Sequence, residues 1–166
     1  MLDADGLYLG GGYPELHGAR LSANRAARDG VRKMAEAARP IYAECGGLMY
    51  LAKALEDLEG RSHEMVGLLP TTVRMRPRRL TLGYTEVELA MPSILGSAGL
   101  TARGHEFHYS SLEPAGDALS LQGRFGEGLA GFGSPTLLAS YLHLHLGADP
   151  RPADRFVATC RAALPR

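Results

Sequence analysis

The sequence has no net charge and no long apolar run. Eighteen Lys and Arg residues balance 18 Asp and Glu residues over 166 positions, so no electrostatic field favours nucleic acid or an anionic membrane as the main partner. No stretch approaches the ~18 uninterrupted apolar residues of a membrane span, and the acidic, glycine-rich N-terminus is unlike a signal peptide. We therefore expect a cytoplasmic protein that binds neither nucleic acid nor membranes.

Cysteine is scarce in this sequence, and glycine is abundant. Two cysteines, Cys45 and Cys160, lie in different contexts and provide no disulfide framework. Glycine occupies 21 of 166 positions, well above the average usage of ~7%. The length is that of a single domain spanning residues 1–166. The positions of the glycines are therefore the more informative feature.

The first 60 residues predict alternating strands and helices. A short apolar run in DGLYLGGGY (Asp5 to Tyr13) predicts a strand that ends in a glycine turn. Ser22 is a candidate N-cap for an amphipathic helix that Pro40 terminates. The run IYAEC predicts a second strand, and the leucine spacing in GGLMYLAKALEDL predicts a second helix. This order of elements indicates a parallel sheet with helices on its faces.

The remainder of the chain has a different pattern. Residues Arg79 to Leu89 alternate and contain Thr, Tyr and Val, which predicts antiparallel or mixed strands. The run LLASYLHLHLG predicts a strand with His143 and His145 on one face and its leucines on the other. A terminal helix is expected from Pro152 to Leu164.

Cys45 is the strongest candidate for a nucleophile. It lies where a buried strand meets a helix, and Gly46 and Gly47 follow it. These glycines permit strained backbone angles and close approach by a substrate. The N-terminus of the helix is expected to favour the thiolate, which is the form that attacks. The alternative is a small buried cysteine at a strand end.

A cysteine nucleophile needs a base and donors for a developing oxyanion. His143 and His145 are the candidate bases; the alternatives are a half-exposed histidine pair or a zinc site, for which no well-spaced third ligand is evident, so we predict no metal. The backbone N–H groups of Gly11, Gly12 and Gly46 are candidates for the oxyanion hole, with a plain tight turn as the alternative. No GxxxxGK[ST] phosphate-binding loop is present.

The segment RGHEFHYS contributes further polar candidates. The residues proposed to line a substrate pocket are His105, Glu106, His108 and Tyr109. The alternative is an exposed ion pair between Glu106 and Arg103. Thiolate, histidine base and oxyanion hole together define covalent acyl transfer, which fits an amidase, a thioesterase or a peptidase.

Four motifs, in order, closely resemble the C-terminal glutamine amidotransferase domains of the cobyrinic and hydrogenobyrinic acid a,c-diamide synthases. They are DGLYLGGGYPE (Asp5 to Glu15), YAECGGLMYL (Tyr42 to Leu51), RGHEFHYS (Arg103 to Ser110) and ASYLHLHL (Ala139 to Leu146). The resemblance implies an α/β, class I glutamine amidotransferase-like (flavodoxin-like) fold, with a mostly parallel sheet and helices on both faces. In such domains a strand and a helix precede DGLYLGGG, and we expect this chain to lack them.

The resemblance also implies roles for individual residues. It makes Cys45 the residue that attacks the side-chain amide of L-glutamine, forms a glutamyl thioester and releases ammonia. His143 matches the family base. His145 occupies the place where many class I amidotransferases have the carboxylate of His-x-Glu, so the third member of the triad is unassigned and His145 is a candidate for it.

The family enzymes carry an N-terminal synthetase domain. The resemblance implies that this domain uses ATP and Mg²⁺ to activate the a and c carboxylates of a corrin in cobalamin biosynthesis, and we expect neither the domain nor these cofactors in this chain. The alternatives are the glutaminase half of cobyric acid synthase or of a cell-wall precursor amidotransferase, against which the LHLH and GHEFHYS motifs argue, and a non-catalytic remnant acting as an interaction module. A missing edge strand would expose a sheet edge and allow a homodimer.

Overall fold

The computed structural model describes residues 4–123 and 126–163. The helices are α1 (Gly18–Ala23), α2 (Arg25–Glu36), α3 (Gly46–Leu51) and α4 (Arg151–Ala162), preceded by a 3-10 helix at Pro14–His17. The strands are β1 (Leu7–Leu9), β2 (Ile41–Glu44), β3 (Ala52–Glu56), β4 (Ser62–Glu64), β5 (Leu69–Met75), β6 (Thr81–Leu89), β7 (Thr101–His108), β8 (Ser110–Glu113), β9 (Leu119–Gly123), β10 (Gly126–Ala130), β11 (Phe132–Ser134), β12 (Leu137–Ser140) and β13 (His143–Leu144). Within these residues, no helix combines the length and apolar character needed to span a membrane.

Three sheets organise the chain. The first has the order β1-β2-β12-β11, with β2 parallel to both β1 and β12 and β11 antiparallel to β12. The second, β10-β9-β6-β7-β13, is antiparallel throughout. The third, β4-β3-β5-β8, is parallel only between β3 and β5. Parallel pairing is therefore concentrated at the strands that carry the glycine turn and Cys45.

The two faces of the first sheet bury two hydrophobic clusters. Because side chains alternate along a strand, Ile41 and Ala43 of β2 enter one cluster with Val31 of α2. Tyr42 enters the other cluster, against which Phe156 of α4 packs. Helices thus cover both faces, and the predicted α/β class is confirmed.

The predicted N-cap at Ser22 is wrong. Ser22 lies inside the short helix α1, and the chain turns at Asn24 before α2 begins. The Asn24 side-chain oxygen accepts a hydrogen bond from the backbone N–H of Ala27 at 3.1 Å. Asn24 therefore supplies the cap, because it precedes Ala27 by three residues and its side chain pairs with a backbone N–H of the first turn.

The helix predicted in GGLMYLAKALEDL is confirmed only in its first half. Helix α3 ends at Leu51, and the chain continues as β3, which pairs with β4 and β5. Leu51 and Leu55 are fully buried, as the helical spacing required. A short apolar run satisfies either period, and here the pairing with two neighbouring strands decides the outcome.

The strand predicted for LLASYLHLHLG is interrupted. Strand β12 ends at Ser140, and β13 contains only His143 and Leu144, which pair with β7. His145 lies outside the strand and is exposed. Leu142, Leu144 and Leu146, which were predicted to face away from the histidines, lie in or against the second cluster, whereas Leu137 packs against the first. The antiparallel middle region and the terminal helix are also confirmed.

The glycines after Cys45 bring the start of α3 against the end of β1. A Cβ atom on Gly47 would lie 2.3 Å from the carbonyl oxygen of Leu9, and one on Gly46 would lie 2.7 Å from the carbonyl oxygen of Gly12. Both neighbours are backbone atoms, which cannot rotate away. Absence of a side chain at these two positions is therefore what permits the close approach.

We expect Gly47→Ala to destabilise the fold by about 1–3 kcal/mol, because the new methyl group forces the backbone of β1 away. Gly128→Ala is the matched control, since a Cβ there meets open space. Urea unfolding followed by circular dichroism measures both variants. Equal changes in the two variants would show that the contact does not constrain the fold.

Candidate active site

Cys45 forms a strained elbow between β2 and α3. Its backbone angles are φ 47° and ψ −105°, in a region that residues with a side chain rarely occupy. The residue is buried, and its Sγ donates to the carbonyl oxygen of Phe107 at 3.6 Å. The sequence prediction of a strand, a sharp turn and a helix around Cys45 is confirmed.

The resting thiol of Cys45 is held in its protonated form. The pKa of Cys45 is raised to about 11: burial is the largest cause, the backbone N–H of Gly46 lowers the pKa, and the carboxylates of Glu15, Glu44 and Glu106 raise it. The start of α3 therefore favours the thiolate, as predicted, but this effect does not decide the protonation of the resting site. Helix α3 has only six residues, and desolvation together with three acids outweighs its N-terminus.

The glycine turn after β1 lies between the elbow and a histidine. Gly12 contacts Gly46 through backbone atoms, and a Cβ on Gly11 would lie 2.6 Å from Cε1 of His143. Strand β1 pairs with β2 as predicted, which sets the turn beside Cys45. The structure therefore brings Gly11, Gly12 and Gly46 together, and their role as oxyanion donors stays a prediction.

His143 is fixed on several sides. Its Nδ1 lies 3.6 Å from Oε2 of Glu44, and its ring stacks on that of His105 with centroids 4.8 Å apart and planes 17° apart. Because strands β13 and β7 pair His143 with His105, the two rings stand side by side on one face.

Cys45 and His143 are not hydrogen-bonded to each other. Among the described residues, no hydrogen bond joins Sγ to either histidine of LHLH. Cys45 contacts Phe107, whereas His143 stacks on His105, two residues earlier on the same strand. Two residues of a strand span about 7 Å. The two side chains therefore contact different positions of β7.

His145 is not the residue that contacts His143. Its side chain is exposed, and its backbone N–H donates to the carbonyl oxygen of Arg103 at 3.2 Å. Glu44 occupies the position beside Nδ1 of His143 instead. In residues 4–123 and 126–163, no group of three or more His, Cys, Asp or Glu side chains is arranged to hold a metal ion.

The predicted pocket residues divide between two cavities. His108 and Tyr109 line the cavity at Cys45, and the Oε2 atom of Glu106 lies 3.5 Å from Nε2 of His108. His105 instead lines a separate, larger cavity beside His143. The alternative pairing of Glu106 with Arg103 is wrong, because Arg103 pairs with Glu86 across the strands at 2.8 Å.

The sequence pattern did not identify two acidic residues near Cys45. Glu44 is 4% exposed and lies in the otherwise apolar run IYAEC, so an acid inside a buried strand was the available signal. Glu15 lines the Cys45 cavity, and burial raises its pKa. Glu15 follows the glycine turn in a polar segment, and nothing in its local pattern distinguishes it from a surface acid.

Known proteins resemble this chain over most of its sequence. The sequence profile of the CobB/CobQ-like glutamine amidotransferase domain matches residues 1–151. The chain is 44% identical over 162 residues to a cobyrinate a,c-diamide synthase of Dehalococcoides mccartyi (strain CBDB1), covering 93% of this chain and 35% of that protein. It is 37% identical over 168 residues to the cobyrinate a,c-diamide synthase of Salmonella typhimurium, covering 98% of this chain and 37% of that protein. The chain thus spans about a third of the length of these relatives.

Solved structures agree with the fold. A glutamine amidotransferase crystal structure superposes with a TM-score of 0.55 at 20% identity, covering 95% of this chain and 79% of the other. A glutamine amidotransferase from Thermotoga maritima gives a TM-score of 0.52 at 14% identity, covering 93% and 62%. Together with the profile match over most of the sequence, these similarities show that the chain belongs to the family of CobB/CobQ-like glutamine amidotransferase domains.

Proposed function

We propose that this chain hydrolyses L-glutamine through a thioester on Cys45 and supplies ammonia for an amidation. The observation that carries the proposal is the strained elbow at Cys45, whose following residue Gly46 lies in backbone contact with the glycine turn at Gly12. A nucleophile beside converging backbone N–H groups suits attack on an amide carbonyl. The family membership supports glutamine as the amide.

The chemistry proceeds in two steps. The thiol proton passes to Nε2 of His143 as Sγ bonds to the side-chain carbonyl carbon of glutamine, and the N–H groups of Gly11, Gly12 and Gly46 face the oxyanion. The C–N bond then breaks, and the leaving nitrogen takes the proton from His143 as ammonia. Water next attacks the thioester with His143 as base, which releases glutamate and restores the thiol.

Carboxylates around Cys45 suit the α-ammonium group of glutamine. Glu15 lines the cavity at Cys45, and both Glu15 and Glu106 raise the pKa of the thiol. Their charge therefore reaches the sulfur. A bound ammonium would offset this charge and lower the cost of forming the thiolate, so substrate binding and activation of the nucleophile are coupled. His108 and Tyr109 line the same cavity.

The ammonia is consumed by an ATP-dependent synthetase. Relatives named cobyrinate a,c-diamide synthase are about three times as long as the matched region, and their family resemblance supports a and c carboxylates of cobyrinic or hydrogenobyrinic acid as acceptors. In this proposal ATP and Mg²⁺ bind the synthetase part, and the chain acts in the cytoplasm. Glutamine and the synthetase are its partners.

A glutamine analogue carrying a diazo ketone should label Cys45, and Cys45→Ala should abolish both labelling and glutamate release. Mass spectrometry of the digested chain locates the label. Iodoacetamide is the control reagent: because the pKa of Cys45 is raised to about 11, it should react slowly at pH 7. Labelling that persists in Cys45→Ala contradicts the nucleophile assignment, and fast iodoacetamide reaction contradicts the protonated resting thiol.

The two histidines are separated by comparing His143→Ala with His145→Ala. We expect His143→Ala to slow labelling of Cys45 on the order of 10²-fold or more, since the general base is lost, and His145→Ala to have a much smaller effect. The rate of label incorporation measures both variants. Equal losses, or a larger loss in His145→Ala, would overturn the choice of base.

A further inference from the structure

We propose that Glu44 is the positioning carboxylate of the catalytic base, in place of an acid two residues after the histidine. The inference rests on the proposed function of His143 and deepens it. In the sequence, the position two residues after His143 holds His145, which makes no contact with His143 among the described residues. The residue immediately before the nucleophile holds the carboxylate that does.

Glu44 is built into the fold as a hydrogen-bond acceptor. Its side chain is 5% exposed. Oε1 accepts from the Tyr42 hydroxyl at 2.5 Å and from the backbone N–H of Leu144 at 3.0 Å, and Oε2 accepts from the Tyr8 hydroxyl at 2.7 Å. Three donors on one buried carboxylate offset the cost of removing its charge from water. The three donors therefore hold the Glu44 carboxylate in one orientation.

The two tyrosines are donors that the site keeps protonated. Burial and Glu44 together raise the pKa of Tyr8 to about 12 and raise the pKa of Tyr42 further. A protonated phenol can donate to a carboxylate but carries no competing charge. The Glu44 carboxylate thus lies beside two neutral phenols, and Nδ1 of His143 lies 3.6 Å from its Oε2.

Three contacts select the orientation of the His143 ring. Nδ1 faces Glu44 at 3.6 Å, Cε1 lies against Gly11, and the ring face stacks on His105. With Nδ1 assigned to the carboxylate, Nε2 is the nitrogen left for the thiol. A proton on Nδ1 leaves the Nε2 lone pair free, which is the tautomer a base requires. The separation of 3.6 Å is slightly long for a hydrogen bond, and in this proposal it shortens as His143 accepts the thiol proton.

The same charge acts on the nucleophile in the opposite sense. Glu44 raises the pKa of Cys45, so it disfavours a free thiolate while it favours the imidazolium of His143. The thiolate of Cys45 is therefore favoured only together with the imidazolium of His143, when the proton moves from Sγ to the histidine. Position 44 therefore links the two catalytic groups, because Glu44 and Cys45 are adjacent along the chain.

The test uses the 166-residue chain and the variant Glu44→Gln, which keeps the shape of the side chain and an accepting oxygen but removes the charge. Long-range ¹H–¹⁵N correlation spectra, assigned with His143→Asn, read the tautomer of neutral His143. We expect the proton on Nδ1 in the unmodified chain and a shift toward Nε2 in Glu44→Gln. Labelling of Cys45 by the diazo ketone should slow on the order of 10²-fold or more, as when a triad acid is neutralised.

A double variant separates positioning from a general effect on folding. If Glu44 acts through His143, Glu44→Gln should change the labelling rate less than about twofold in a His143→Ala background, because the effects of residues that act as a unit are not additive. Glu88→Gln is the matched charge control, since Glu88 is an exposed glutamate on β6, and it should leave rate and tautomer unchanged. Tyr8→Phe keeps the charge of Glu44 and frees Oε2, so His143 should keep its proton on Nδ1.

The inference is overturned if His143 carries its proton on Nε2 in the unmodified chain, or if Glu44→Gln slows labelling equally with and without His143. Failure of the diazo ketone to label Cys45 would instead contradict the proposed function. The tautomer is read without any turnover, so the two failures are distinguishable. If Glu44→Gln fails to fold, the tautomer of neutral His143 in the unmodified chain decides the question.

Discussion

The rest of the site depends on the hydrogen bonds that a buried carboxylate next to Cys45 accepts. Glu44 accepts hydrogen bonds from β1 through Tyr8, from its own strand through Tyr42 and from β13 through Leu144, which is 100 residues away in sequence. Because β13 belongs to a different sheet from β1 and β2, this one side chain ties the first sheet to the second. The register of the histidine segment relative to the cysteine elbow follows from it.

Backbone contact at the glycines supplies the second constraint. The chain after Cys45 passes so close to the end of β1 that no side chain fits at Gly46 or Gly47. The backbone N–H of Gly46 lowers the pKa of the thiol, yet burial and acidic neighbours raise it overall. We therefore expect the resting thiol to react slowly, and we propose that it becomes a nucleophile only when a bound substrate and a base change the local charge. Such a site would suit a glutaminase whose ammonia is released only when an acceptor is ready.

The sequence predicted the parts of the site that depend on local chemistry. Single segments showed the glycine turn, the cysteine followed by two glycines, and the strand before each. The structure confirms the elbow at Cys45 and the pairing of β1 with β2. The sequence did not show which strands pair with one another, because strand pairing depends on contacts between distant segments. Leu51 and Leu55 are buried in either a helix or a strand, so the change of structure after Leu51 needed the pairing with β5.

The same limit explains why the sequence did not identify the carboxylate near His143. The resemblance to class I amidotransferases pointed to His145, at the place of the acid in His-x-Glu, whereas the carboxylate near His143 comes from the YAEC segment, about a hundred residues earlier. An acid in a buried apolar strand signalled an unusual environment, but only the fold shows which group it faces. The raised pKa of Cys45 likewise results first from burial and then from Glu15, Glu44 and Glu106, which three separate segments contribute.

The most direct measurement is a crystal structure of the chain after reaction with the diazo ketone analogue of glutamine. We expect the analogue to be bonded to Sγ of Cys45. His143 should place Nε2 within about 3.5 Å of the sulfur or the trapped group, and Nδ1 within about 3.2 Å of the Glu44 carboxylate. A structure in which His145, or no histidine, approaches the sulfur, or in which Nδ1 of His143 turns away from Glu44, would contradict the assignment of nucleophile, base and positioning acid.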